Sequence, residues 1–380
     1  MSDYITILPL TKSFFDGYAT KHNTQFPGGG KIHYDSVLQS THDYLNEHVH
    51  PTVQQRASLV DAGLYLTDHG PKHIELVLSR ASSLVRTVKS IKDETSGMAS
   101  YDSNLRPYEI FLLTLATHFH DVGNMYGREG HEKKILEVMN QVGALQPIHW
   151  PERNLIAKIA LCHGGKFEGE KDTIRSLAAG NEQNGDVSYR PQLLAAVLRL
   201  ADELADEYSR ADNFGLIEPE KLPLTCLIYQ KYAAALKVNV RPLDGQIGLQ
   251  FDLMADDLRR KFRKFIGDRK KSVFLLDEIY DRTLKTYTEM VYCGRYMRCL
   301  DTHLHEVRVE VNVYESPHQP YPIKEASFIY TIGDSEYPKY SGNNRDALKQ
   351  LARGFKKMAL RVPEWVNLSR KRAFEALFTG

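Results

Sequence analysis

The sequence predicts a mainly α-helical bundle followed by an α+β C-terminal region, and three observations lead to this prediction. Apolar residues recur at helical spacing in residues 74–85. Residues 193–204 form a nearly continuous apolar run, which predicts a buried helix that carries one conspicuous carboxylate, Asp202. From about Leu222 onward, apolar and polar residues alternate as they do in half-buried strands.

The chain divides into three stretches. Residues 1–58 are predicted as an N-terminal helical extension, with an amphipathic helix from about Tyr34 to Val49. The triple glycine at residues 28–30 lacks the Lys-Ser/Thr pair that follows in a phosphate-binding P-loop. Residues 59–215 are predicted as the central helical domain.

Residues 216–380 are predicted as an α+β C-terminal region. An Asp-Gly turn at residues 244–245 is expected to close a hairpin. We expect strands at residues 225–229, 235–240, 246–251 and 307–314, and helices at residues 256–296 and 345–358.

The composition predicts a soluble cytoplasmic protein. With 42% hydrophobic and 26% charged residues, the 380-residue chain is ordinary for a globular protein. The N-terminus lacks the basic and apolar regions of a signal peptide, and no apolar stretch reaches membrane-spanning length. The four cysteines have neither metal-ligand spacing nor the density of a disulfide scaffold, which favours a reducing compartment. We therefore expect no membrane partner.

The net charge of +1 argues against a dedicated binder of long nucleic acid, which usually needs a strongly basic face. One basic run does exist, at residues 259–271. It is either the solvated face of a helix or a phosphate-binding patch for a nucleotide at an active or regulatory site.

A histidine–aspartate pair, His120-Asp121, ends an apolar run and indicates a metal site. Burying an imidazole and a carboxylate without partners is costly, and both groups are ligands for first-row divalent cations. His73 opens one amphipathic helix and Asp202 lies on another, so each can supply a further ligand. The structural alternative is a helix-capping aspartate beside a core histidine.

Three more histidines are candidates for the same site. His131 is either functional or a first-turn histidine on an ordinary soluble helix. His163 is either functional or a cap for the helix that ends at residues 164–165. His69, one turn before His73, either faces the same pocket or lies in the preceding turn.

In their order along the chain, these motifs resemble those of the HD-domain metal-dependent phosphohydrolases, over roughly residues 59–208. The resemblance implies an HD-type helical bundle and a divalent cation: Mn, Fe, Mg or Zn. The four core ligands that it implies are His73, His120, Asp121 and Asp202. Histidines at the positions of His131 and His163 bind a second metal ion in some relatives and act as proton donors in others.

The implied reaction is hydrolysis of a phosphoester or phosphoanhydride, because a divalent cation polarises the phosphorus centre and activates water. His131 is expected to protonate the leaving oxygen if it faces the pocket, and His163 is the second catalytic candidate. The four core ligands suffice for one ion, whereas the two extra histidines allow a second. The candidates for substrate binding are His69, Lys133, Lys166 and Arg199.

Among HD families, the deoxynucleotide triphosphohydrolases combine such a core with an appended α+β region, so we expect (deoxy)nucleoside triphosphates as substrates. Those enzymes usually have Arg three residues before the first ligand and Gly-His after His-Asp; this chain has Gly70 and, at residues 122–124, Val-Gly-Asn. The phrase at residues 66–74 is closer to HD domains of bacterial antiviral systems. A dinuclear phosphodiesterase acting on cyclic or oligonucleotides is the first alternative, and a non-hydrolytic nucleotide sensor is the second.

By the same resemblance, we expect a homo-oligomer with a nucleotide effector on the basic run at residues 259–271. The alternative is that the C-terminal region is a plain cap that completes the core.

Overall fold

The described part of the chain is mainly helical, with α+β structure toward its C-terminal end, which confirms the predicted fold class. The computed structural model describes residues 8–21, 25–28, 31–58, 70–86, 104–127, 130–207, 225–266, 269–300 and 303–333. His69 and the helix predicted at residues 345–358 lie outside these ranges.

Helices α1 to α3 precede the central bundle. Helix α1 spans Pro9–Lys21. Helix α2, Tyr34–Tyr44, continues through a π-helical turn, Leu45–Val49, into helix α3, His50–Ser58. Helical structure therefore continues beyond the end predicted at residue 49.

The central bundle is built from the next group of helices. They are α4 (Pro71–Val85), α5 (Pro107–Phe119), α6 (Ile135–Met139), α7 (Trp150–Leu161) and α8 (Pro191–Glu203). Proline stands in the first turn of α4, α5, α7 and α8, where its missing N–H costs no intrahelical hydrogen bond. Short 3₁₀ turns at Val122–Tyr126 and His131–Lys134 connect α5 to α6. A small hairpin of β1 (Glu182–Asn184) and β2 (Val187–Tyr189) precedes α8.

Helices α5 and α8 lie at the centre of the bundle. Every residue from Tyr108 to Phe119 in α5 is buried, and so is every residue from Leu193 to Ala201 in α8. Helix α8 contacts α4, α5 and α7. A helix that is buried on all sides leaves no surface for unpaired polar groups, so the charged residues at its end need partners.

A cluster of aromatic rings joins the N-terminal helices to the bundle. The rings of Phe14 in α1 and Tyr34 in α2 lie against Phe111 of α5, with centroids 6.2 and 4.8 Å away. The hydroxyls of Tyr34 and Tyr108 both donate to the buried carboxylate of Glu152 in α7, at 3.3 and 2.9 Å.

The C-terminal part opens with helix α9, Leu227–Ala235, so the strand predicted at residues 225–229 is wrong. Ile228 and Tyr232 are both buried and lie one helical turn apart. The alanines that end the segment have the highest helix propensity of all residues, and they outweigh the short apolar run that suggested a strand.

A four-stranded mixed sheet follows, in the order β3-β4-β7-β8. Its strands are β3 (Leu236–Arg241), β4 (Gln246–Met254), β7 (Glu306–Tyr314) and β8 (Phe328–Gly333). The two central strands pair in parallel and the outer pairs are antiparallel. Gly245 closes the β3–β4 hairpin with a left-handed φ of 64°, as the predicted Asp-Gly turn requires.

The helix predicted over residues 256–296 is wrong for its first half. In chain order the structure has helix α10 (Ala255–Arg259), strand β5 (Lys261–Ile266), strand β6 (Arg269–Phe274) and helix α11 (Leu275–Gly294). We call the antiparallel β5–β6 hairpin the basic ribbon. Phe262 is buried while its neighbours Lys261 and Arg263 are exposed, and this period of two belongs to a strand.

In the part of the chain that the structure describes, no helix combines the length and the apolar character needed to cross a membrane.

Candidate metal centre

The four predicted core ligands come from three helices of the bundle. His73 lies in the first turn of α4, and Asp202 lies in the last turn of α8. His120 and Asp121 directly follow α5. His73 and His120 are almost completely buried, with exposures of 1% and 0%.

The four side chains converge on one point. The Nε2 atoms of His73 and His120 lie 3.1 Å apart. Asp202 Oδ1 lies 3.2 Å from His73 Nε2 and 3.7 Å from His120 Nε2. Asp121 Oδ2 lies 3.6 and 3.4 Å from the same two nitrogens. We call these four residues the first cluster.

Two further histidines lie on the opposite side of Asp121. His131 Nε2 and His163 Nε2 are 3.3 and 3.7 Å from Asp121 Oδ1, and they are 3.4 Å from each other. His131 comes from the 3₁₀ turn before α6, and His163 follows α7. We call Asp121, His131 and His163 the second cluster.

Asp121 therefore belongs to both clusters and presents one carboxylate oxygen to each. Within each cluster, three ligand atoms lie within 4.8 Å of one another. Atoms bound to one cation at about 2.0–2.2 Å are separated by about 2.8–3.1 Å in octahedral geometry and by about 3.3–3.6 Å in tetrahedral geometry. The observed separations of 3.1–3.7 Å are close to those values, so imidazoles and carboxylates of both clusters fit divalent cations.

Backbone carbonyls orient two of the imidazole rings. His120 Nδ1 lies 2.6 Å from the carbonyl oxygen of Thr117, and His163 Nδ1 lies 2.7 Å from that of Ala160. A carbonyl oxygen only accepts, so each Nδ1 carries a hydrogen, and Nε2 is the nitrogen of each ring that faces Asp121. This is the usual orientation of a metal-binding histidine.

The charges in the site favour a cation. Burial by itself lowers the pKa of His120, but the carboxylates of Asp121 and Asp202 outweigh burial and raise it to about 9. The two carboxylates thus favour a positive charge at this point, and a divalent cation would supply that charge in place of the Nε2 proton. The pKa of Asp202 is held well below its usual range by hydrogen bonds from His120 and His73, although burial acts in the other direction. Burial, reinforced by the charge on His120, lowers the pKa of His163 to about 4. His163 is therefore neutral at neutral pH, as a metal ligand must be.

The sequence interpretation missed two residues that hold Asp121 and His131 in position. Asn124 donates from Nδ2 to Asp121 Oδ1 at 2.9 Å. Gly123 lies directly against the backbone of His131. Both belong to the segment Val-Gly-Asn at residues 122–124, which follows the His-Asp pair. In the sequence, this segment stands out only because it differs from the Gly-His of the triphosphohydrolases.

The predicted substrate-binding residues lie in different surroundings. Lys133 and Lys166 are exposed, close in the chain to His131 and His163. Arg199 is buried instead. His69 is outside the described residues.

The guanidinium of Arg199 joins the bundle to helix α11. Its Nε and Nη2 donate to the carboxylate of Glu289 at 2.7 and 3.0 Å. Its Nη1 donates to the carbonyl of Lys171 and the hydroxyl of Thr173, each at 3.0 Å, and its plane lies over the Tyr292 ring. A direct phosphate contact would have to break these interactions.

His118 faces away from the candidate ligands. It lies between His42 and His50. Its Nε2 is 3.3 Å from His42 Nδ1, and its Nδ1 is 3.5 Å from His50 Nε2. Burial lowers the pKa of His50 to about 3 and that of His118 well below its usual value. His50 and His118 are therefore neutral members of the core.

A family model described as HD-CE matches residues 63–260, just over half of the chain. The match spans both clusters and extends to the start of the basic ribbon. It confirms the resemblance to HD-domain proteins. No curated protein and no solved structure matches the chain significantly.

Proposed function

Since the chain belongs to the HD-CE family of HD-domain proteins, we propose that it is a metal-dependent phosphohydrolase of nucleotides that uses two divalent cations. The family membership and the His/Asp clusters support a metal-dependent hydrolase in general. The nucleotide substrate is our proposal.

The observation that carries the proposal is the carboxylate of Asp121 between two groups of imidazoles. Asp202 Oδ1 completes the first group, and His131 with His163 forms the second. A divalent cation supplies Lewis acidity that polarises a phosphoryl group and yields a nucleophile from water near neutral pH.

The chain's own residues hold and orient the charges that such chemistry needs. His73, His120 and Asp202 would hold one cation together with Asp121. His131 and His163 would hold the other. We favour this role for His131 over that of a proton donor, because its Nε2 is turned toward Asp121 Oδ1 at 3.3 Å.

Two substrate classes follow from the proposal. The resemblance to deoxynucleotide triphosphohydrolases supports (deoxy)nucleoside triphosphates. The paired clusters around one carboxylate are a specific observation in favour of a phosphodiesterase on cyclic or oligonucleotides, since two-ion sites clamp both the attacking and the leaving oxygen of a phosphodiester. The exposed Lys133 and Lys166 are candidates for phosphate contacts in either case.

The resemblance also supports a role in bacterial antiviral defence and assembly into a homo-oligomer. The mass of the protein in solution, measured with and without nucleotides, tests the oligomer directly.

A substrate screen tests the proposed activity. The purified protein is loaded with Mn²⁺, Fe²⁺, Mg²⁺ or Zn²⁺ and offered nucleoside triphosphates, cyclic dinucleotides and short oligonucleotides. Release of inorganic triphosphate identifies the first substrate class, and linear dinucleotides or mononucleotides identify the second. Asp121→Asn removes charge from both clusters and should abolish hydrolysis, whereas the exposed Asp43→Asn is the matched control and should leave it unchanged.

Binding of a nucleotide without turnover, by protein with full metal occupancy, would contradict hydrolysis and favour the sensor.

A further inference from the structure

The basic ribbon presents a face of alternating cations and aromatic rings to solvent. Lys261, Arg263 and Phe265 are exposed on β5, and Lys270 is exposed on β6. Phe265 is paired in register with Lys270, and the Lys270 ammonium lies 5.4 Å from the centre of the Phe265 ring. The Phe265 side chain is 39% exposed.

These cations share one face of the ribbon. Because side chains alternate between the faces of a strand, residues 261, 263 and 265 point to one side. Successive residues on that side are about 6.7 Å apart along the strand. We call this side, with Lys261, Arg263, Phe265 and Lys270, the outer face of the basic ribbon. It carries a row of positive groups with an aromatic ring at its end.

The cations of this face are not paired with carboxylates among the described residues. Lys261, Arg263 and Lys270 take part in no ion pair there. The neighbouring basic residues differ: Arg259 pairs with Glu315. Lys261 and Lys270 contact aromatic rings instead. The positive charge of the outer face is therefore available to an anionic partner.

The opposite face anchors the ribbon to the bundle. Phe262 is buried there, and the Lys264 ammonium donates to Glu278 of α11 at 2.5 Å. Glu278 also accepts from Arg282 at 2.7 Å, and Arg282 pairs with Asp206, just after α8. The ribbon is thus fixed to the end of the helix that carries Asp202.

We propose that the outer face of the basic ribbon binds a short stretch of single-stranded nucleic acid. The unpaired cations complement the phosphates, and Phe265 offers a surface on which an unpaired base stacks. A duplex keeps its bases paired and offers none to Phe265. The proposal goes beyond hydrolysis and concerns an interaction surface outside the candidate metal centre.

The size of the ribbon limits the ligand to a few nucleotides. Strands of six residues span roughly 20 Å. A net charge of +1 for the whole chain agrees with a small local site and not with a surface for long duplexes.

Binding is measured by fluorescence anisotropy with a labelled single-stranded oligonucleotide, as DNA and as RNA. All samples contain excess chelator, so the outcome does not depend on whether the protein is a hydrolase. The same sequence as a duplex, and vesicles that contain phosphatidylserine, serve as competing ligands. Salt is varied to obtain the slope of log affinity against log salt.

The triple variant Lys261→Gln, Arg263→Gln, Lys270→Gln should weaken binding at least tenfold and lower the salt slope by about 2, since each lost phosphate contact removes about 0.7. A matched control replaces exposed cations away from the ribbon by Gln: Lys158, Arg298 and Lys324. It should bind as the wild-type protein does.

Phe265→Ala should weaken binding roughly tenfold with an unchanged salt slope, because a stacking contact carries no charge. Its control, Tyr321→Ala, removes a ring that is 77% exposed elsewhere and should have no effect. Circular dichroism verifies that each variant is folded.

Failure of the wild-type protein to bind the single strand would overturn the proposal. The proposal would also be overturned if the ribbon variants and their controls lost binding equally. It would be overturned as well if the wild-type protein bound the duplex or the vesicles more tightly than the single strand and the ribbon variants lost that binding.

Discussion

Gly123 lies so close to His131 that a Cβ atom at position 123 would be 1.9 Å from the carbonyl oxygen of His131. The 3₁₀ turn that carries His131 can approach Asp121 only because position 123 has no side chain. The backbone of the His-Asp phrase thereby sets the position of a residue in the second cluster.

Gly123→Ala should therefore displace His131 and empty the second cluster while the first keeps its ion. A Cβ this close to backbone cannot be accommodated by a side-chain rotation, so the turn must move. Metal content by mass spectrometry should fall from two ions per chain to one. Gly143→Ala is the control, because a Cβ there meets nothing within 4 Å. Two ions retained in Gly123→Ala would contradict this coupling.

The clusters should also be separable by changing their ligands. His131→Ala and His163→Ala each remove one second-cluster ligand and should leave one ion per chain. Asp121→Ala removes the shared carboxylate and should leave none, since both clusters use it. His48→Ala changes an exposed histidine and serves as the control, which should retain both metal ions. Asp121→Ala protein that still binds two ions would refute the shared role of Asp121.

Arg199 should stabilise the fold and not bind substrate. Arg199→Met leaves the carboxylate of Glu289 without its partner and should lower the free energy of unfolding by about 3–5 kcal/mol. The double variant Arg199→Met, Glu289→Leu should recover much of this loss, because no charge is then left unpaired. Urea denaturation measures both. A stable Arg199→Met protein with a raised KM would instead support the predicted substrate contact.

Glu152 should make stability depend on pH. Burial raises the pKa of this carboxyl from its ordinary 4.5 to about 7, although hydrogen bonds from Tyr108 and Tyr34 lower it. The folded protein therefore holds the proton more tightly than the unfolded chain. The contribution of Glu152 is fully present below about pH 4.5 and is lost as pH rises through 7, a change of about 3 kcal/mol.

Urea denaturation across this pH range measures the effect in the wild-type protein and in Glu152→Gln. The variant cannot titrate at this position, so its free energy of unfolding should fall less between pH 4.5 and 7. Glu137→Gln changes an exposed carboxylate and should keep the wild-type profile. Identical profiles for Glu152→Gln and the wild-type protein would exclude Glu152 as the source.

Sequence alone was least successful where a segment's pattern was short. Residues 227–235 form a helix and residues 261–274 form the basic ribbon, against the predicted strand and helix. Both segments are too short for periodicity to separate the two structures. Contacts with distant residues decide the ribbon, which buries Phe262 and pairs Lys264 with Glu278 of α11. The local pattern of apolar and polar residues gives no information about partners that are distant in the chain.

The sequence by itself determined the family, the mainly helical class and the chemical types of the candidate ligands. The His-Asp phrase and the long apolar helices are local features, and their order along the chain is specific. Only the tertiary structure decided that Asp121 turns one oxygen to His73 and His120 and the other to His131 and His163. It also directed Arg199 to Glu289. The physical reason is that a charged group's role depends on which partner lies within hydrogen-bonding distance, and that distance arises only when separate helices pack together.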